Sequence, residues 1–226
     1  MEYADIFPAV FLERPNRFIA RVLLGGQETV CHVKNTGRCR ELLTPGAAVY
    51  VQHCPAPGRK TEWDLIAVRK GARLINMDAG APNTVFGEYL RSGGLGFLPE
   101  WVKPEITKDD SRFDFGFGHG GLTCFAEVKG VTREDRGIVR FPDAPTERGV
   151  KHLRSLSRCV REGHPCWAVF IVQMDSVLRL EPNRATHPEF ADALRDAAEA
   201  GVKLLALSCH VTENSLTAAE EVEIRL

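Results

Sequence analysis

The stretch from Ser111 to Thr132 constrains this chain more than any other. Two apolar runs, Ser111-Arg112-Phe113-Asp114-Phe115 and Cys124-Phe125-Ala126-Glu127-Val128-Lys129-Gly130, flank a segment carrying Gly116, Gly118, Gly120 and Gly121. Apolar runs on either side of a glycine-rich turn predict a β-hairpin. Strand side chains alternate, so Glu127 and Lys129 share one face and Cys124, Ala126 and Val128 the other. On the partner run Phe113, Phe115 and Phe117 are expected to point one way and Asp114 the other. Pairing the runs brings Asp114 beside Glu127 and Lys129. Glu-x-Lys on a strand also describes an ordinary solvated face. The Asp on the preceding run and the apolar frame argue against that, because partly desolvated charges need partners or a metal. Two carboxylates with a lysine suit Mg²⁺ or Mn²⁺, hard cations that take oxygen ligands and accompany phosphates.

The formal net charge of −1 leaves no overall basic signature, so any contact with a polyanion must come from local clusters. Seven cysteines, an odd number without a C-x-x-C, argue against a disulfide framework and fit reduced thiols in a cytoplasm. The chain starts Met1-Glu2-Tyr3-Ala4-Asp5, without a basic start and apolar core, and no run approaches membrane-spanning length; no membrane contact is expected. Cys159, His164 and Cys166 lack zinc-site spacing.

Ahead of the hairpin, short strands are predicted over 18–24, 28–33, 49–53, 64–69 and 73–76, the first two joined at Gly25-Gly26. Five short strands without a helical period suggest a small closed barrel such as the OB-fold. Two basic phrases belong to it. Arg14-Pro15-Asn16-Arg17 precedes the first predicted strand, and Lys34-Asn35-Thr36-Gly37-Arg38-Cys39-Arg40 follows the second. Asn35-Thr36-Gly37 reads as a turn that exposes N–H groups, and Arg38 carries a fork suited to phosphate. Arg14, Arg17 and Arg38 read equally well as surface charges near Glu13 and Glu41. Tyr50, Trp63 and Phe18 are candidates either for base stacking or for the barrel core.

Gly80, Pro82 and Asn83 mark a boundary, giving domains over 1–80 and 81–226. A helix is predicted over 84–91, carrying Glu88, and a strand over 101–106. Residues 133–138 read as a charged loop. Thr146 can cap a helix on which Val150, Leu153, Leu156 and Val160 recur at helical spacing. Its remaining faces carry Arg148, Lys151, His152, Arg154, Arg158 and Arg161. A helix N-terminus attracts phosphate, so Arg148 and Lys151 are the expected contacts, and His152 reads equally as packed or catalytic. An apolar strand over 166–174, a helix from Pro188 to Gly201, a strand over 203–211 and an edge strand over 222–226 follow. This order implies an α/β (α+β) domain, a mixed sheet flanked by helices.

Asp114, Glu127 and Lys129 resemble the D…E-x-K signature of the PD-(D/E)XK nucleases, with Phe113 where a proline often stands. The phrases Ser111-Arg112-Phe113-Asp114-Phe115, Glu127-Val128-Lys129-Gly130-Val131-Thr132 and Phe141-Pro142-Asp143-Ala144-Pro145-Thr146 are similar to the sugar fermentation stimulation protein family. Arg14-Pro15-Asn16-Arg17-Phe18 and Asn35-Thr36-Gly37-Arg38 extend the resemblance over nearly the whole chain. It implies an OB-like barrel followed by a PD-(D/E)XK-like domain. It also implies nucleic-acid binding, DNA ahead of RNA, through Arg14, Arg17, Asn35, Arg38, Arg148 and Lys151. Mg²⁺ or Mn²⁺ would sit on Asp114 and Glu127, with Glu88 assisting by its place in the order of elements, and Lys129 would act on the attacking water. Two alternatives stay open. One is a non-catalytic DNA-binding regulator of sugar metabolism on the same scaffold. The other is a sugar- or nucleotide-binding enzyme using the same metal, disfavoured because no P-loop or dinucleotide glycine motif is present.

Overall fold

The computed structural model describes residues 1–35 and 37–226; Thr36, part of the turn read above, lies outside the described residues. The chain opens with six strands: β1 (Ile6–Asn16), β2 (Ile19–Leu24), β3 (Gln27–Val33), β4 (Ala48–His53), β5 (Trp63–Lys70) and β6 (Arg73–Asn76). They lie in the order β3-β2-β1-β4-β5-β6, and a parallel contact of β3 with β5 (His32 opposite Asp64, Val33 opposite Leu65) closes the first five into a barrel. Closure follows from the side-chain pattern. Ala9, Phe11, Ala20, Val22, Cys31, Val33, Val49, Val51 and Leu65 alternate along their strands and meet inside.

β1 was not foreseen. Pro8 and Pro15 interrupt its pattern, and its pairing with β2 shifts register between Phe11 and Glu13 and again between Glu13 and Asn16. Arg14 therefore lies within a strand rather than before one. Of the three candidate stacking residues, Tyr50 is buried and donates to Glu213 at 2.7 Å, and Trp63 packs between Phe7 and His53. Phe18 is 50% exposed, with the Arg17 guanidinium 5.7 Å from its ring centre.

Helix α1 (Ala81–Arg91) follows. It starts three residues earlier than expected because Pro82 suits the first turn, and the Asp78 carboxylate accepts from the Gly80 N–H at 2.8 Å just ahead of it. Next come β7 (Val102–Lys108), β8 (Ser111–His119) and β9 (Leu122–Val131). The turn between β8 and β9 is Gly120-Gly121 alone, both at positive φ (60° and 74°), the two-residue hairpin geometry only glycine adopts freely. Gly116 and Gly118 belong to β8, where Ile106 and Trp101 lie across them and leave no room for side chains.

The expected loop over 133–138 holds β10 (Glu134–Asp135), which pairs with β11 (Ile138–Phe141). The rest is α2 (Glu147–Arg161), β12 (Cys166–Val172), β13 (Arg179–Pro182), α3 (Pro188–Glu199), β14 (Lys203–Val211), β15 (Leu216–Glu221) and β16 (Glu223–Ile224). The main sheet has the order β15-β14-β12-β9-β8-β7, with β9, β12 and β14 parallel. The small sheet is β10-β11-β13-β16, so the expected C-terminal edge strand lies at the edge of this sheet, against β13.

β12 is buried on both faces. Trp167, Val169 and Ile171 pack with Val85, Phe86 and Leu90 of α1, while Ala168, Phe170 and Val172 pack with Leu153, Leu156, Phe190 and Leu194 of α2 and α3. Each fully buried large side chain contributes roughly 2–3 kcal/mol of apolar burial. Barrel and sheet are joined by a buried polar network. Gln173 donates to Asn76 Oδ1 and to the Asp78 carbonyl, both at 2.9 Å, and Lys34 pairs with Asp78 at 2.5 Å. Among the described residues no helix is long and apolar enough to cross a membrane.

Candidate functional site

The hairpin places its charged residues where β8 and β9 part. Their pairing runs from His119↔Leu122 to Phe115↔Ala126 and stops there. Beyond it the Asp114 side chain replaces the backbone: Val128 N–H donates to Asp114 Oδ2 at 2.8 Å. The Asn83 amide, in the first turn of α1, donates to Asp114 Oδ1 at 3.1 Å. The alternation of β8 breaks at this point. Phe115 and Phe117 pack on the α1 side, but Phe113 packs against Phe125 on the α2 side, their rings tilted 40° and 5.2 Å apart, so the three phenylalanines do not share a face. Glu105, beside Asp114 in β7, sits at φ 52°, outside the extended region that keeps strand faces regular.

β9 keeps its alternation, and Glu127 and Lys129 share the face toward α2. Glu127 is 4% exposed, and its two oxygens differ sharply. Oε1 accepts from both Lys129 Nζ and His152 Nδ1. Oε2 is buried with no hydrogen-bond partner. His152 reaches Glu127 because α2 is capped by Thr146, whose Oγ1 accepts from Gly149 N–H at 3.0 Å, and because Ser155 meets Ser111 of β8 at 2.7 Å. Arg148 Nε–H can only donate, and it lies 3.3 Å from His152 Nε2. That nitrogen is therefore the acceptor, and the ring N–H sits on Nδ1, aimed at Glu127.

The two carboxylates are tuned apart. Burial, reinforced by the negative charge of Glu127, pushes the Asp114 carboxyl above the usual range despite the Val128 N–H. Burial would raise Glu127 too, but the His152 hydrogen bond and the Lys129 ammonium outweigh it and hold that carboxyl below the usual range.

An oxygen pair of this kind fits a hard divalent cation. Glu127 Oε2 is an orphaned buried acceptor, an arrangement that costs about 1–3 kcal/mol unless something binds it, and Asp114 is close enough to feel its charge. Glu88 does not join them. Its Oε2 accepts from the Met1 amine at 2.7 Å, and among the described residues no three acidic, His or Cys side chains converge. The reason is helical geometry: with α1 starting at Ala81, Asn83 faces Asp114, and Glu88, five residues on, is rotated by about 140°.

The proposed phosphate contacts divide in the same way. Arg14 is structural: it donates to the carbonyls of Asn35 and Arg17, both at 2.6 Å, and of Gly37 and Arg38, both at 2.8 Å. It ties down the loop after β3 and is not free to meet a phosphate. Asn35 Oδ1 accepts from Gly37 N–H at 2.8 Å. Arg17 and Arg38 are exposed. Arg148 is exposed at the start of α2 beside His152, whereas Lys151 pairs with Asp110 at 3.2 Å and is held away from Glu127. The sequence reading placed Arg40 in a basic phrase and Arg133 in a charged loop but gave neither a phosphate contact. Both line a cleft of about 430 Å³ with Arg38 and Arg140, and only the approach of the barrel loop to the β9–β11 segment brings them together. It also passed over Asn83, which as an isolated Asn near a helix start carries no signal.

Comparisons agree with this architecture. Residues 12–77 match the family model described as the SfsA N-terminal OB domain. Residues 80–215 match that of the sugar fermentation stimulation protein RE domain. Proteins named sugar fermentation stimulation protein homolog are similar over the full chain: one from Desulfitobacterium hafniense (strain Y51) is 53% identical, aligned over 100% of this chain and 99% of its own length. One from Clostridium beijerinckii is 49% identical over 100% of both. The solved structure of Pyrococcus furiosus SfsA in complex with Ca²⁺ superposes with a TM-score of 0.88 at 27% identity, covering 100% of this chain and 98% of that one. This chain belongs to the sugar fermentation stimulation protein family.

Proposed function

We propose that the protein binds nucleic acid, DNA ahead of RNA, and hydrolyses its phosphodiester bonds with Mg²⁺ or Mn²⁺ at a PD-(D/E)XK-type centre. The observation that carries this reading is Glu127 Oε2, buried and without a partner beside Asp114 while Lys129 occupies the other oxygen. The relative from Pyrococcus furiosus was solved with Ca²⁺, another hard cation that takes oxygen ligands. Bound by Asp114 and Glu127, the cation would supply an acidified water and offset charge on the scissile phosphate.

The chain's own groups do the rest. His152 and Lys129 hold Glu127 Oε1, which leaves Oε2 as the oxygen that would take a cation. Asn83 and Val128 N–H fix the Asp114 carboxylate. The Lys129 ammonium, 21% exposed, orients the attacking water and stabilises negative charge as it develops. The water oxygen bonds to phosphorus as one of its protons passes to solvent, the P–O bond to the leaving sugar breaks, and the leaving sugar oxygen takes a proton from solvent. Phosphates flanking the scissile bond meet Arg148 on one side and Arg17, Asn35 and Arg38 on the other. We place the reaction in the cytoplasm; the cysteines form no disulfide with one another, and six of the seven are buried.

Labelled single-stranded DNA, duplex DNA and RNA incubated with Mg²⁺, Mn²⁺ or chelator test the reading. DNA should be degraded with metal, survive in chelator and survive with Glu127→Gln. No degradation of any substrate with either metal would refute the chemistry. One observation favours the alternative of a non-catalytic DNA-binding regulator: with Glu88 held by Met1, two carboxylates rather than three face the site. Salt-sensitive retention of DNA without turnover would establish it.

A further inference from the structure

Ligands of α/β sheets bind beyond the carboxyl ends of the parallel strands. Here the ends of β9 and β12 open onto a half-open cavity of about 150 Å³ between the sheet and the barrel loop. Gly130, the neighbour of Lys129, lies on its wall. The lining is chemically mixed. Arg133 supplies positive charge, with Arg140 beside it paired to Glu181 at 3.1 Å; Asp143 and Asn35 supply acceptors and an amide donor, and Phe141 supplies an aromatic ring. A site for a bare anion would exclude the Asp143 carboxylate. A nucleotide has a phosphate for Arg133, a flat base for the ring, and base-edge donors for the acid.

Two glycines let the polar side chains of the wall approach the backbone closely. A Cβ on Gly37 would come within 2.5 Å of Asp143 Oδ2 and 2.9 Å of Asn35 Oδ1, and one on Gly130 within 2.6 Å of Gln173 Oε1 and 2.8 Å of Pro82. The cavity shares Arg133, Arg140 and Asp143 with the larger cleft that carries Arg38 and Arg40.

We propose that this cavity seats one unpaired nucleotide of the substrate strand next to the scissile bond, with the neighbouring phosphates running along Arg133, Arg38 and Arg40. The preferred substrate is then single-stranded nucleic acid or an unpaired end. The inference rests on the nucleic-acid reading above and names its substrate class. A duplex must first release a base, at a cost of a few kcal/mol, which corresponds to a preference for single strands of about tenfold or more.

Fluorescence anisotropy on the full chain in chelator, where no cleavage occurs, separates the two ideas. A labelled single strand, the blunt duplex of the same sequence and a duplex with an unpaired tail are compared. The single strand and the tailed duplex should bind about tenfold tighter than the blunt duplex or better. Gly37→Val, whose side chain would displace Asp143 and Asn35 on the cavity wall, should abolish that difference. Asp143→Asn, a change at an exposed carboxylate and so a control should Gly37→Val fold poorly, should reorder the affinities for oligo(dA), oligo(dC) and oligo(dT). Equal affinity for single strand and blunt duplex, or an unchanged oligonucleotide order in Asp143→Asn, would overturn the pocket while leaving nucleic-acid binding intact. Binding to none of the three would remove both.

Discussion

Glu134 clamps the barrel to the sheet, and removing its charge should loosen the whole molecule in a pH-dependent way. It is 7% exposed in β10, yet its partners come from the barrel: Oε2 meets Lys70 Nζ at 2.9 Å and Oε1 meets Arg73 Nη1 at 2.8 Å. Gly137 N–H donates to Oε1 at 2.6 Å, and Lys70 also donates to the Glu134 carbonyl at 2.7 Å. Burial alone would raise this carboxyl. The Gly137 N–H and the two cations overcome it and bring it from 4.5 down to about 2. At about 1.36 kcal/mol per pKa unit, that depression corresponds to roughly 3 kcal/mol of folding stability. This is an upper figure, since Lys70 and Arg73 keep some contact with water. A depressed folded pKa means the contribution is complete above the unfolded value near 4.5 and is lost as pH falls toward 2. Glu134→Gln keeps the shape and an acceptor for Gly137 but cannot ionise. Urea unfolding at a series of pH values is the assay. At pH 7 the variant should be less stable by roughly 3 kcal/mol or somewhat less, with the gap closing as pH drops from about 4.5 to 2. Equal stability at pH 7, or a gap that does not change with pH, would refute the clamp.

Three further outcomes are expected. Lys129→Ala should leave Mn²⁺ affinity unchanged or tighter, because a nearby ammonium opposes a cation, and lower turnover by about 100-fold or more, with Lys129→Arg restoring it only in part; calorimetry and single-turnover cleavage check this, and unchanged turnover would sink the role given to the lysine. Asp114→Asn should weaken Mn²⁺ binding and raise the melting temperature of the metal-free protein, since the folded state holds this carboxyl above its usual range and so disfavours its ionised form; a lower melting temperature would show the charge to be stabilising. Arg14→Lys gives up most of four carbonyl contacts and should cost about 2 kcal/mol or more in urea unfolding, without reducing the number of released counterions in a salt titration of DNA binding; a smaller salt slope with unchanged stability would return Arg14 to the phosphate track.

Local patterning carried much of this protein. The two-residue period of β9 is enough to put Glu127 and Lys129 on one face, and Gly120-Gly121 is enough to turn the hairpin, because both depend on a few consecutive dihedral angles. The capped, amphipathic α2 and the Pro188 start of α3 were legible for the same reason: Thr146 and Pro188 act on the helix turn they begin. What neighbours do at long range was not legible. Whether a carboxylate on α1 reaches the centre depends on the rotation of a helix whose first residue is set by Pro82, and the structure brings Asn83 there and leaves Glu88 with Met1. Arg14 and Arg38 look alike in sequence. Arg14 is consumed by four carbonyls because β1 runs on past its prolines, and Arg38 stays exposed. His152 occupied an ambiguous position on α2 until β9 packed against it and turned its ring nitrogen onto Glu127. The cavity beside Gly130 has no sequence signature at all: its walls run from Asn35 to Gln173, and only the docking of the barrel loop onto the ends of the parallel strands brings them together.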